Sequence, residues 1–122
     1  MGWLNRVRAP FNVNRFAQVA AVAALEDRAH LERTRALVLS ERPRLLAELA
    51  RRGCPAPPSQ ANFLLPRIGA QSRELAAALL KAGILVRDGG AVGFPGHLRI
   101  AIGRPEDNSR LLEVLDETLA AP

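Results

Sequence analysis

GILVRDGGAVGFPGHLRIAIG, residues 83–103, decides how the chain is read. Two short apolar runs, ILVRD and HLRIAIG, flank a glycine-rich connection, which is the pattern of two strands around a loop. Side chains alternate between the faces of a strand. Leu98, Ile100 and Ile102 therefore share one side, and His97, Arg99 and Ala101 the other. The apolar side is built to pack on helices. Arg99 points at whatever covers the second side. If that is water, Arg99 is an ordinary surface residue; if it is another domain, Arg99 can grip an anion. A guanidinium group is a rigid fork that meets carboxylate or phosphate through two parallel hydrogen bonds. Arg87 ends the first run, just before DGGAVG, where glycines let backbone approach a ligand closely. An ordinary turn with Arg87 exposed is the competing reading. The glycine spacing matches neither a phosphate loop nor a dinucleotide fingerprint.

The rest of the chain supplies the helices. Asn14 is placed to cap a helix through its side-chain oxygen. The run from Arg15 is rich in alanine and leucine, with Phe16, Val19, Ala20, Ala23 and Ala24 at helical spacing. It is too long for one straight helix, so a break is expected between Asp27 and His30. The second helix uses Leu31, Thr34, Leu37 and Val38, then Leu45, Leu46 and Leu49, with a kink expected at Pro43 and a stop at Gly53. CPAPPSQ is a stiff connection, ANFLLPR a strand, and SRELAAALLKAG a helix with Ser72 as its cap and Gly83 as its stop. The closing helix opens at Pro105, with Glu106 and Asp107 at the positive end of its dipole. The order is helix, helix, strand, helix, strand, strand, helix. That predicts an α/β (α+β-like) domain, a short sheet with helices on one face, spanning residues 14–122 behind an irregular lead-in over 1–13.

Composition narrows the function. The chain has 122 residues, the size of one domain. Seventeen basic against twelve acidic residues leave a net charge of +5, which brings a nucleic-acid partner into question. The basic residues are scattered among acidic ones, and aromatics are 4 % of the chain, too few to build base-stacking platforms. No nucleic-acid partner is expected. A single cysteine, Cys54, allows no internal disulfide, and no histidine or cysteine cluster suggests a metal. With no signal-peptide pattern and no apolar run of spanning length, a cytoplasmic protein away from membranes is the expectation.

PFNVNRFAQVAAVAALED, ER before a leucine-rich helix, PSQANFLLPR, GILVRDGG, GFPGHLRIAIGRPEDN and a leucine-rich closing helix occur in that order. From about Arg6 to Leu119 the chain resembles the C-terminal part of histidinol-phosphate aminotransferases, fold-type I enzymes that use pyridoxal 5′-phosphate (PLP). Each piece alone is weak; six in the family's order are specific. The resemblance implies the small C-terminal domain of such an enzyme and assigns roles. Arg99 would bind the α-carboxylate of the amino acid, and Arg87 would help hold the substrate's phosphate. Pro10, Phe11 and Asn12 would lie near the mouth of the active site and the dimer contact.

The same resemblance implies what the chain lacks. The family's Schiff-base lysine, its pyridine-binding aspartate and its phosphate-cup residues lie upstream of PFNV. The sole lysine here, Lys81, matches no cofactor motif and reads as a surface residue. No catalytic residue is therefore assigned, and PLP is expected in the complete enzyme but not on this chain alone. The implied partners are a large PLP-binding domain or complementary chain, a second subunit in a homodimer, and a small phosphorylated amine. A free-standing binding domain and the small domain of a PLP-dependent phospho-amino-acid decarboxylase are the alternatives. Arg104 stands where relatives often carry a threonine cap, which predicts a weaker start to the last helix.

Overall fold

A computed structural model describes residues 2–7 and 13–119. The chain divides into two compact units, residues 1–34 and 35–122. In the first unit, α1 spans Gly2–Val7 and α2 spans Arg15–Glu26. Helix α1 replaces part of the irregular lead-in expected over 1–13; within it the Arg6 guanidinium lies 4.9 Å from the centre of the Trp3 ring. Asn14 caps α2 as expected, its Oδ1 accepting the Ala17 N–H at 2.9 Å. The apolar spacing of α2 does not produce a buried stripe: every α2 residue is exposed, Phe16 to 87 %. The break falls where expected, at Asp27, whose Oδ1 accepts the His30 N–H at 2.8 Å and starts α3, Arg28–Arg51. Helix α3 continues through Pro43 without interruption.

The second unit holds the sheet and its core. Strands β1 (Phe63–Leu64), β2 (Arg87–Asp88) and β3 (Leu98–Ala101) form an antiparallel sheet in the order β1–β3–β2. All three are shorter than the apolar runs suggested. Pro66 is one reason, because it has no N–H for the ladder; pairing resumes beyond it only as a single bridge between Arg67 and His97. One face of the sheet, with Leu64, Leu98 and Ile100, is buried under helices α3, α4 (Ser72–Lys81) and α5 (Pro105–Leu119). Leu45 and Leu49 of α3, Leu75 and Leu79 of α4 and Leu115 of α5 are fully covered. Each such leucine contributes about 1.5–3 kcal/mol by leaving water.

Helix ends follow local chemistry. Gly53 and Gly83 take left-handed backbone, φ +73° and +81°, which closes α3 and α4 without Cβ strain. Ser72 is the first residue of α4 and is buried, whereas Gln71 holds the cap position without a side-chain bond, so Ser72 is not the cap. Arg104 offsets its missing threonine by pairing with Asp107 at 2.8 Å and Glu106 at 3.2 Å in the first turn of α5. Among the described residues no helix is long and apolar enough to cross a membrane.

Candidate functional site

Strand β3 is central, so both of its edges are paired, and its alternation is unambiguous: Leu98 and Ile100 are buried, Arg99 and Ala101 exposed. Arg87 is the direct cross-strand partner of Arg99. Residues directly opposite one another in an antiparallel pair project from the same face. The two arginine side chains therefore leave the sheet from the same, open face. The bridge between Arg67 and His97 sets Arg67 on that face as well, since His97 lies two residues from Arg99. Like charges placed opposite each other in a sheet are unfavourable. Among the described residues, neither Arg87 nor Arg99 has an acidic partner to relieve this. The Arg99 guanidinium instead lies over the Phe63 ring, 4.1 Å from its centre.

The acid nearest in sequence is otherwise engaged. Asp88 pairs with Leu98, on the opposite side of the sheet from Arg87. Its Oδ1 accepts the Gly90 N–H at 3.1 Å, and its Oδ2 lies 3.8 Å from Arg73. This starts a one-turn 3-10 helix, Gly89–Val92, that closes the loop between β2 and β3. Gly89 is required by close approach: a Cβ there would sit 2.5 Å from the Phe94 carbonyl oxygen and 2.7 Å from that of His97. The Gly89 N–H donates to the His97 carbonyl at 2.8 Å, so the loop holds Arg87 and Arg99 in register. Leu85, Val86, Arg87, Asp88, Arg99 and Ala101 line an open hollow of about 440 Å³. That is the size of a small-molecule site.

A second polar group lies behind the sheet and was not foreseen. Glu41 and Asn108, 67 positions apart and both buried, are joined by a 2.8 Å bond from Asn108 Nδ2 to Glu41 Oε2. Arg44 donates to the same carboxylate through Nε at 3.0 Å and Nη2 at 2.6 Å. Asn108 also takes the Gly103 N–H and donates to the Gly103 carbonyl, each at 3.0 Å. The cluster thus ties α3 to the turn that ends β3 and begins α5. The Arg44 bonds hold the Glu41 carboxyl below its ordinary range, with Asn108 adding to the effect against the cost of burial.

The remaining expected residues fall elsewhere. Lys81 is the exposed last residue of α4 and does not line the hollow. No lysine stands on the arginine face, so the described residues do not fit covalent attachment of an aldehyde cofactor. Burial raises the Cys54 thiol above its ordinary pKa, which favours the unreactive protonated form. Pro10, Phe11 and Asn12 lie outside the described residues.

Residues 1–115 match the family described as aminotransferase class I and II. The histidinol-phosphate aminotransferase of Anaeromyxobacter sp. (strain Fw109-5) is 45 % identical over 120 residues, covering 98 % of this chain and 33 % of that protein. The protein of the same description from Symbiobacterium thermophilum is 45 % identical over 116 residues, 95 % of this chain and 32 % of its own length. Among solved structures, the histidinol-phosphate aminotransferase from Clostridium acetobutylicum superposes with a TM-score of 0.74 at 28 % identity, over 97 % of this chain and 37 % of that one. The enzyme from Sinorhizobium meliloti, solved with pyridoxal-5′-phosphate, shares the fold at a TM-score of 0.75 and 24 % identity, over 96 % of this chain and 33 % of that one. The chain therefore spans about a third of the length of the relatives it matches.

Proposed function

This chain belongs to the aminotransferase class I and II family, and on that footing we propose that it is the substrate-gripping, C-terminal domain of a histidinol-phosphate aminotransferase. The observation that carries the reading is the direct pairing of Arg87 with Arg99, two unpaired cations opposite each other on an open face. A fold keeps such a pair at a cost in stability, and an anion bound by each fork offsets that cost. In this reading Arg99 holds the α-carboxylate of the amino donor and Arg87 the phosphate of histidinol phosphate. The co-substrate 2-oxoglutarate carries two carboxylates, so one pair of forks can serve both partners of the exchange. PLP is then bound by residues that this chain does not contain, and the chain's own part is to bind and orient.

The test is a chimera in which this chain replaces the matching third of the Anaeromyxobacter enzyme. The chimera should transfer the amino group between histidinol phosphate and 2-oxoglutarate, while the chain alone, given PLP and both substrates, should show no turnover. Loss of one charge-assisted fork predicts that Arg99→Ala and Arg87→Ala each lower kcat/KM by about 10- to 100-fold. A folded, PLP-loaded chimera without turnover, or one indifferent to Arg99→Ala, would refute the reading.

A further inference from the structure

We propose that Phe63 is a positioning residue for Arg99, a platform that presets the plane of the guanidinium before any anion arrives. The inference rests on Arg99 being the carboxylate grip. Phe63 sits opposite Ala101 in the β1–β3 pair, one diagonal step from Arg99. Diagonal neighbours in a sheet are within reach of aromatic and long side chains. The guanidinium carbon lies 4.1 Å from the ring centre, inside the range of a cation–π contact.

The chemistry of the contact matters more than its strength. Several other arginines of the chain are held by carboxylates. Arg52 is fixed by Glu48 at 2.6 Å and Asp116 at 2.7 Å, and Arg44 by Glu41. A carboxylate orients an arginine but occupies its N–H donors and neutralises its charge. An aromatic face touches the flat side of the guanidinium and leaves every N–H free around the edge. Stacking is thus the arrangement that orients a cation without competing with the ligand. It also keeps water from one side of the group and reduces the freedom lost on binding.

The experiment follows the Arg99 Nε–Hε signal by NMR in the full 122-residue chain, titrated with glutarate as the carboxylate probe. In the native chain this signal should be displaced by the ring current, show an ordered heteronuclear NOE and shift saturably with glutarate. Phe63→Leu should abolish the displacement, lower the NOE and weaken glutarate binding about two- to fivefold. Phe63→Tyr should restore all three. Phe63→Met, closer in volume and without a ring, carries the same expectation as Phe63→Leu if the latter does not fold. If Arg99→Ala abolishes binding but ring removal changes neither NOE nor affinity, the platform is overturned and the grip survives. A lowered melting temperature with unchanged NOE and affinity overturns it too, because that is all a packing role would produce. If Arg99→Ala leaves binding intact, or the native chain does not bind glutarate, the grip itself fails and the platform with it.

Discussion

Replacing Glu41 by glutamine isolates the polar cluster behind the sheet. Both carboxylate oxygens face donors only: Arg44 Nε at 3.0 Å from each, Arg44 Nη2 at 2.6 Å and Asn108 Nδ2 at 2.8 Å from Oε2. An amide can offer one oxygen to this ring of donors, and its NH2 must then meet another donor. The variant loses charge-assisted bonds without relieving their partners. Removing one member of a fully buried ion pair costs about 3–5 kcal/mol. Arg44 is 36 % exposed and can turn to water, and Asn108 keeps its bonds to Gly103, so the loss should be smaller. We expect about 2 kcal/mol, the cost of a charged hydrogen bond lost from a site of this kind. Urea unfolding followed by circular dichroism should show the midpoint falling by about 1 M with the slope unchanged. The pH dependence gives a second check. The folded-state pKa of Glu41 is depressed, so its contribution is fully present above its ordinary value of 4.5 and is lost as pH falls through the lower folded value. The gap between native chain and Glu41→Gln should therefore be wide at pH 7 and shrink in acid. Other carboxylates titrate in both proteins and cancel in the difference. A gap that stays constant down to pH 3, or no gap at pH 7, would refute the account of the cluster.

Other outcomes follow from the same coordinates. Gly89→Ala forces a Cβ against two backbone oxygens that have little room to move; overpacking of this kind costs about 1–3 kcal/mol, and thermal melting should show it. Arg52→Ala removes the bonds to Glu48 and Asp116 that tie α3 to α5. It should lower the melting midpoint, and the loss should narrow in high salt because the pairs are partly exposed. Pro43→Ala restores a ladder donor inside α3 and should stabilise by about 1–2 kcal/mol, the helical gain exceeding what proline contributes by restricting the unfolded chain.

What could be read beforehand depended on period. The alternation in HLRIAI placed Leu98 and Ile100 inside and Arg99 outside without any knowledge of the neighbouring strands, and the helical spacing of Leu45 and Leu49 marked the buried side of α3. The pairing of Arg87 with Arg99 was not legible in that way. Strands of two residues carry no alternation of their own, and register is specified by pairing across the sheet. The stack of Arg99 on Phe63 depends on the same register. Glu41 and Asn108 were invisible for another reason. Buried polar partners 67 residues apart leave no periodic trace, and a glutamate in an arginine-rich helix reads as solvated. Helix α2 failed in the opposite direction. Its spacing is that of a packed helix, but spacing says only which side is apolar, not whether anything in the chain covers it.

In the proposed reading, the arrangement of Arg87 opposite Arg99 sets recognition against robustness. Selection for heat tolerance alone would favour trading either arginine for threonine, since that swap removes repulsion and suits a strand. The hardier variant would have an emptied binding face, so a thermostability screen run without an anionic ligand would discard the site first. If both cations grip carboxylates as proposed, screening in the presence of a saturating dicarboxylate should reverse that pressure, because the bound ligand then rewards the sequences that keep them.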